Sequence, residues 1–283
     1  MVSPRARRAA VEYLRTERGL SQRQACRLVG IQRSSARYQA RSRSDEAETV
    51  ALIREYAHEQ PMYGYRIISA MLRHDGYRIN RKRVYRIWRE QGLQLPRRKV
   101  IKRRYGDSSG SLQRATQPNE VWTYDFLEAR TERGGKLRIL TVLDEYTREC
   151  LHIHVAPSIS SRQVIAVLDW LFVARGAPSH IRSDNGPEFI AYALREWLRD
   201  RTCHTLYIKP GSPWENPFIE SFNGTFRNDC LNRWVFSNGQ EARELIENWR
   251  LEYNLRRPHS SLGYLPPAVF AQQATLSLNL DQS

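Results

Sequence analysis

Val121-Trp122-Thr123-Tyr124-Asp125-Phe126-Leu127 is an apolar and aromatic run broken by a single charge. Aromatic and β-branched residues at this density predict a strand over 121–129. Gly134-Gly135 then predicts a turn, and 137–143 and 150–156 read as two further strands, so the three form an antiparallel meander. Beyond it the period changes. Residues 160–175 carry Val164, Val167, Leu168 and Leu171 at helical spacing. A short strand is expected at 180–183, a helix at 189–200, a strand at 204–208 and a helix at 218–231. Three antiparallel strands followed by alternating helix and strand define an α/β fold, a mixed sheet flanked by helices.

Upstream of this segment the chain reads as helical. A helix is expected at 5–17, with Ala9, Ala10, Tyr13 and Leu14 at helical spacing. Ser21 and Gln24 form a capping box for a second helix over 22–29. Gly30 ends that helix, and a short third one rich in Arg and Ser follows at 32–38. Helix, tight Gly turn and polar basic helix is the pattern of a helix-turn-helix, which makes Arg33 and Arg37 candidate DNA contacts. A second helical unit has helices at 46–59, 65–73 and 81–91, the last capped by Asn80. Val84, Ile87 and Trp88 face its core, while Arg81, Lys82, Arg86 and Arg89 stay outside, as DNA contacts or as a solvated face. Pro96 through Gly110 is first basic and then Gly/Ser-rich, a linker that either tracks phosphates or is simply flexible. The expected domains are 1–43, a helix-turn-helix; 44–95, a second helical DNA-binding unit; 96–117, the linker; 118–235, the α/β core; and 236–283, a C-terminal helical extension.

Charge follows the same division. The 283 residues carry a formal net charge of +15. Residues 1–105 hold 26 Lys/Arg against 9 Asp/Glu, a net of +17, so the remainder is close to neutral at −2. An excess confined to the N-terminal third favours a polyanionic partner, DNA or RNA, over a merely soluble basic surface. No apolar run approaches the roughly 20 residues of a membrane span, and the first residues lack a secretory apolar stretch, so a cytoplasmic location is expected. The cysteines, Cys26, Cys150, Cys203 and Cys230, show no disulfide framework or zinc-site spacing and read as buried or incidental thiols.

Three carboxylates stand out by context. Asp125 lies within an apolar strand, where a charge is costly unless it is paired or binds a metal. Asp184 follows the predicted strand 180–183, at the carboxyl end where open α/β sheets place their sites. Glu220 lies on the helix that opens after Pro213 and Pro217, with 35 residues between it and Asp184. Three carboxylates converging from two strands and a helix suit two hard divalent ions and phosphodiester chemistry. Asp144, Glu145 and Glu188 compete with them, and position alone does not exclude Asp144.

The stretches Pro118-Asn119-Glu120-Val121-Trp122-Thr123-Tyr124-Asp125-Phe126, Ser183-Asp184-Asn185-Gly186-Pro187-Glu188-Phe189 and Asn216-Pro217-Phe218-Ile219-Glu220-Ser221-Phe222-Asn223-Gly224 occur in this order. Downstream come Tyr253-Asn254, Arg257-Pro258-His259-Ser260-Ser261-Leu262-Gly263-Tyr264 and Pro266-Pro267-Ala268. Together with the N-terminal helices, these make the chain resemble the orfB-type transposases of the third bacterial insertion-sequence family over nearly its full length. That resemblance implies a ribonuclease-H-like catalytic core of the retroviral-integrase kind, preceded by all-α helix-turn-helix units. By position, Asp125, Asp184 and Glu220 match the family's catalytic and metal-binding Asp-Asp-Glu triad, which uses Mg²⁺ or Mn²⁺, two ions per site. Arg227, on the same helix side as Glu220 by its spacing of seven, matches a basic residue that holds phosphate or a DNA end. Asn185 and Gly186 match the supporting loop after the second Asp.

The implied reaction is nicking of the element's ends followed by direct strand transfer. The helix-turn-helix units would recognise terminal inverted repeats. Implied partners are double-stranded DNA (element ends and target), further copies of the chain on that DNA, and an upstream orfA product or fusion. The location would be the bacterial cytoplasm, at the nucleoid. Two alternatives stay open: a nuclease that only hydrolyses, and a DNA-binding regulator or inactive transposase remnant.

Overall fold

The computed structural model describes residues 3–38, 44–96, 114–183, 192–207 and 216–281. The chain divides into two compact units, Met1–Leu52 and Ile53–Ser283. In the first, Ser3 caps α1 (Pro4–Thr16), and a Ser21/Gln24 capping box opens α2 (Gln22–Val29). Gly30 closes α2 in the left-handed region at φ 68°, which a residue without Cβ adopts freely. Val11, Ala25 and Cys26 form the small core. The third helix is shorter than its expected 32–38: α3 is a single turn, Arg33–Ala36, and Gln32 supplies no side-chain cap for it.

The second unit contains most of α4 (Glu46–Glu59), then α5 (Tyr65–His74) and α6 (Arg81–Glu90). Ile53, Ile68, Leu72, Val84, Ile87 and Trp88 are buried. Asn80 caps α6 by accepting the Lys82 N–H at 2.8 Å.

The sheet follows. Its strands are β1 (Val121–Arg130), β2 (Lys136–Asp144), β3 (Cys150–Ala156), β4 (His180–Ser183) and β5 (His204–Tyr207). The spatial order is β3-β2-β1-β4-β5. β1 pairs antiparallel with β2 and β2 with β3, whereas β4 runs parallel to both β1 and β5. The expected meander and mixed sheet are therefore present.

Alternation of side chains along β1 divides the core in two. Trp122 and Tyr124 pack with α7 (Ser161–Arg175) and α8 (Tyr192–Arg199), through Val164, Leu168, Leu171, Leu194 and Leu198. Leu127, Ile139 and Leu143 face α9 (Pro217–Phe226) and α10 (Gly239–Leu255), through Ile219, Phe222, Phe226, Ile246 and Trp249. α10 also covers the edge strand β3. The Asn254 amide both accepts the Cys150 N–H and donates to the Cys150 carbonyl, each at 2.8 Å. Exposed strand edges invite wrong pairing, and this side chain occupies the backbone groups of the edge strand at Cys150. The residues just after α10 reach the helical segment before the sheet: Arg256 pairs with Asp75 at 3.6 Å, and Arg257 lies over the Tyr63 ring at 4.8 Å.

The helix expected at 218–231 changes character. It is α-helical to Phe226 and then π-helical over Arg227–Leu231. The wide turn carries the buried Asp229, which faces Arg257 at 3.5 Å, and the buried Cys230. A 3₁₀ turn, Ser260–Leu262, and α11 (Pro267–Asp281) complete the chain. All four cysteines are buried and unpaired.

One pH dependence follows from the sheet edge. Burial, with His154 and Arg250 nearby, lowers the His152 imidazole to about 4. The unfolded chain takes up that proton at about 6.5, the ordinary value. The native state is thus stabilised above pH about 6.5 and loses this contribution as pH falls toward 4. The urea midpoint should drop between pH 7 and pH 5, and His152→Gln should flatten the drop. An unchanged slope in the variant would refute the assignment.

Candidate active site

β1 delivers Asp125 to the face beneath α9, where it is half-buried between Thr123 and Leu127. Its Oδ2 accepts from Asn223 Nδ2 at 2.7 Å, and its Oδ1 from the Phe126 N–H at 2.8 Å. Thr141 is the register partner of Asp125 on β2. Its hydroxyl lies 3.2 Å from both Asn223 Oδ1 and the Asp125 carbonyl. Thr123 donates to Asn216 Oδ1 at 2.8 Å. Thr123 and Thr141 are fully buried, so these bonds satisfy polar groups that water cannot reach. The network fixes the start of α9 against β1 and β2.

α9 shows how the second carboxylate is placed. Ile219, Phe222, Asn223 and Phe226 are its buried residues, the i, i+3, i+4, i+7 stripe of a helix facing a core. Glu220 lies beside that stripe and is exposed. Among the described residues it has no hydrogen-bond or ion-pair partner, and loss of surrounding solvent raises its carboxyl above the usual range. Asn223 is three residues on, one turn along the same side. The amide that grips Asp125 is therefore a helical neighbour of Glu220.

Asp184, with Asn185, Gly186 and Glu188, lies outside the described residues. The residue before Asp184 is Ser183, the buried last residue of β4, which runs parallel to β1 in the register Thr123↔Arg182.

Two of the competing carboxylates are occupied by the fold. Asp144 is buried; its Oδ1 accepts the Tyr146 and Thr147 N–H groups and its Oδ2 the Asn119 N–H. Burial pushes its carboxyl upward against these hydrogen bonds. Glu145 is also buried and accepts from Arg182 Nε at 2.7 Å.

The candidate cations divide by engagement. Arg227 is exposed and makes no ion pair among the described residues; its N–H reaches the Asn223 carbonyl, so α-helical spacing holds from Glu220 to Arg227. Arg33 is exposed on α3, and Arg81 and Lys82 are exposed at the start of α6. Arg37 braces α2 through Gln22 at 3.1 Å, and Arg86 pairs with Glu90 at 3.0 Å.

No group of three His, Cys, Asp or Glu able to hold a metal occurs among the described residues, which exclude Asp184. The donors present, a half-buried carboxylate oriented by an amide and an unpartnered carboxylate, are hard oxygen ligands of the kind Mg²⁺ and Mn²⁺ prefer. Sequence reasoning missed Asn223 and Thr141. A signal existed for Asn223, since an amide at a core position of an apolar helical stripe must find a buried partner.

A parallel β1–β4 pair beside an antiparallel meander, with Asp125 on the central strand, is the arrangement of an integrase-type core. Integrase core domain models match residues 115–213 and 201–267, and an HTH-like domain model matches 43–100. The uncharacterized 31.7 kDa protein of insertion element IS407 from Burkholderia multivorans is 40% identical over 260 residues, covering 91% of this chain and 93% of that protein. The transposase InsD of insertion element IS2 from Escherichia coli is 29% identical over 242 residues, covering 81% and 80%. The catalytic core domain of HTLV-2 integrase, solved in complex with magnesium, matches 52% of this chain and 92% of that chain at 18% identity and a TM-score of 0.43. The chain belongs to the orfB-type insertion-sequence transposases, with a ribonuclease-H-like integrase core and an HTH-like helical region.

Proposed function

We propose that this transposase nicks the ends of its element and joins the freed 3′ end directly to target DNA, with Asp125, Asp184 and Glu220 as the reacting carboxylates. The observation that carries this reading is the Asn223 bond to Asp125, made from the helix that bears Glu220. Two Mg²⁺ or Mn²⁺ ions held by the three carboxylates would activate a water or a 3′-hydroxyl and stabilise the leaving oxygen. The chain's own part is to fix the ligands. Asn223 and Thr141 set the orientation of Asp125, and α9 presents Glu220 with no partner among the described residues. Asn185 and Gly186 shape the turn after Asp184. Arg227, one helical face further along, holds a phosphate of the DNA end.

Residues 1–43 and 44–95 act as DNA-binding domains for the terminal inverted repeats, through Arg33, Arg37, Arg81, Lys82 and Arg86. Residues 96–117 link them to a core over 118–235 and a helical extension over 236–283. Synapsis of two ends calls for further copies of the chain, and the upstream orfA product is a second partner. No described helix is long and apolar enough to cross a membrane. Work on DNA supports a location in the bacterial cytoplasm, at the nucleoid.

Purified protein, with and without the orfA product, should nick and join labelled duplex carrying the element's own ends when Mg²⁺ or Mn²⁺ is present. Nicks without joined strands would identify a hydrolytic nuclease. Binding with neither product under both conditions would identify a DNA-binding regulator. Asn223→Ala should lower cutting about 10- to 100-fold, as loss of a group orienting a ligand does. The loss should shrink at high Mn²⁺, with duplex affinity unchanged. A loss independent of metal concentration would mean that Asn223 only supports packing.

A further inference from the structure

Ser221 follows Glu220 and lines a cavity of about 320 Å³ that the proposed chemistry does not use. The cavity lies between the start of α9, the β2–β3 turn and the 3₁₀ turn, and Arg148, Phe218, His259, Ser260 and Ser261 also line it. Arg148 is held in the left-handed region, at φ 61°, where residues other than Gly, Asn and Asp are uncommon. Its guanidinium stacks 3.7 Å from the centre of the Phe218 ring. Nη1 is buried without an acceptor, and the group makes no hydrogen bond or ion pair among the described residues. Burial lowers its pKa, against the opposing pull of the nearby Glu145 and Asp144 charges, so it is a cation short of solvent.

The rest of the wall suits an anion. Among the described residues no Asp or Glu lines the cavity, and three serines do. Burial, with Arg257 and Arg148 near, lowers His259 to about 4, which leaves it neutral at pH 7. Its Nδ1 lies 3.1 Å from Ser261 Oγ. A tetrahedral oxyanion with several acceptor oxygens matches one desolvated guanidinium and a set of hydroxyl donors.

We propose that this cavity seats a phosphate of the DNA strand next to the reacting bond, with Arg148 as counter-charge and Ser221, Ser260 and Ser261 as hydrogen-bond donors. The assignment rests on the DNA-processing function proposed above. It makes the Arg257-Pro-His-Ser-Ser segment part of the DNA-binding surface, although it lies 37 or more residues beyond Glu220 in sequence.

The test is a methylphosphonate scan, which removes one phosphate charge at a time from a duplex carrying the element's end. Binding is read for wild type, Arg148→Gln and Ser260→Glu. Ser260 is exposed, so its variant keeps the test valid should Arg148→Gln fail to fold. One position near the nick should weaken wild-type binding about tenfold, the scale of a charge-assisted hydrogen bond. Both variants should bind unmodified duplex about tenfold more weakly and lose nothing further at that position. Their salt slopes should be shallower by about 0.9, the value of one phosphate contact.

Equal losses in wild type and variants at every position would overturn the proposal. Titration with inorganic phosphate, followed by protein NMR, separates the sources. A saturable shift that Ser260→Glu abolishes, alongside a flat scan, would assign the cavity to free phosphate and overturn the DNA contact. A wild type that binds no duplex, with or without the orfA product, would remove the transposase reading itself. That failure is distinct from a wild type that binds duplex normally and shows a flat scan.

Discussion

Glu220→Gln should reduce both nicking and joining by on the order of a thousandfold, about 4 kcal/mol of barrier, while affinity for end duplex stays within about twofold. The expectation follows from how differently the fold and the chemistry use this side chain. Glu220 is exposed and has no partner among the described residues, so the isosteric amide removes no contact that holds the fold. The substitution takes away one negative charge and one anionic oxygen donor, which are what a hard divalent ion needs from it. Melting temperature should therefore be unchanged. Asp125→Asn should also lose activity, but its stability should fall as well, because Asp125 Oδ2 anchors Asn223 across the β1–α9 contact. Wild-type rates of joined product from Glu220→Gln would refute the proposed triad. Loss of activity together with a lowered melting temperature would instead make Glu220 a structural residue.

The periodic parts of the core were legible because each element carries its own signal. The β1 run, the paired glycines after it and the capped stripe of α7 each depend on neighbours in sequence, and Val164, Val167, Leu168 and Leu171 are buried as their spacing requires. The sequence located Asp125 as a costly charge in an apolar strand. It did not identify Asn223 as the group that accommodates that charge, because the two are 98 residues apart and meet only through the packing of α9 on the sheet. The π-helical turn at Arg227–Leu231 was invisible for a related reason. Its residues read as an ordinary helix, and the partner of Asp229, Arg257, lies 28 residues further on, after α10. The 32–38 helix was over-extended because Arg and Ser are compatible with a helix, yet the segment has neither a cap nor an apolar stripe to prolong it past one turn. Position alone did not exclude Asp144, which follows an apolar strand as Asp125 lies within one, and Glu145 competed as well; their hydrogen bonds show both engaged by the fold.

That distinction yields the second large effect. Glu145→Leu should destabilise the protein by about 3–5 kcal/mol, because it removes the buried carboxylate that accepts from the buried Arg182 Nε. The Glu145 side chain is 0% exposed and that of Arg182 7%, so solvent cannot replace the lost partner. Burial already raises the Glu145 carboxyl despite Arg182, which shows that desolvation is the dominant cost at this position. The double variant Glu145→Leu/Arg182→Met should recover most of the loss, since replacing both charges with apolar groups removes the desolvation cost along with the attraction. Denaturant unfolding of the two single variants and the double variant measures this directly as a coupling energy. Additive losses would mean that the pair is not coupled and that each side chain is held by other groups. The functional consequence is specific. Arg182 belongs to β4, two residues before Asp184, so the ion pair secures the strand that leads into the proposed second carboxylate. The double variant should therefore be nearly as stable as wild type and still cut DNA, whereas Glu220→Gln, equally stable, should not. Two acidic residues of the same core would then be separated by opposite readouts, stability for Glu145 and turnover for Glu220.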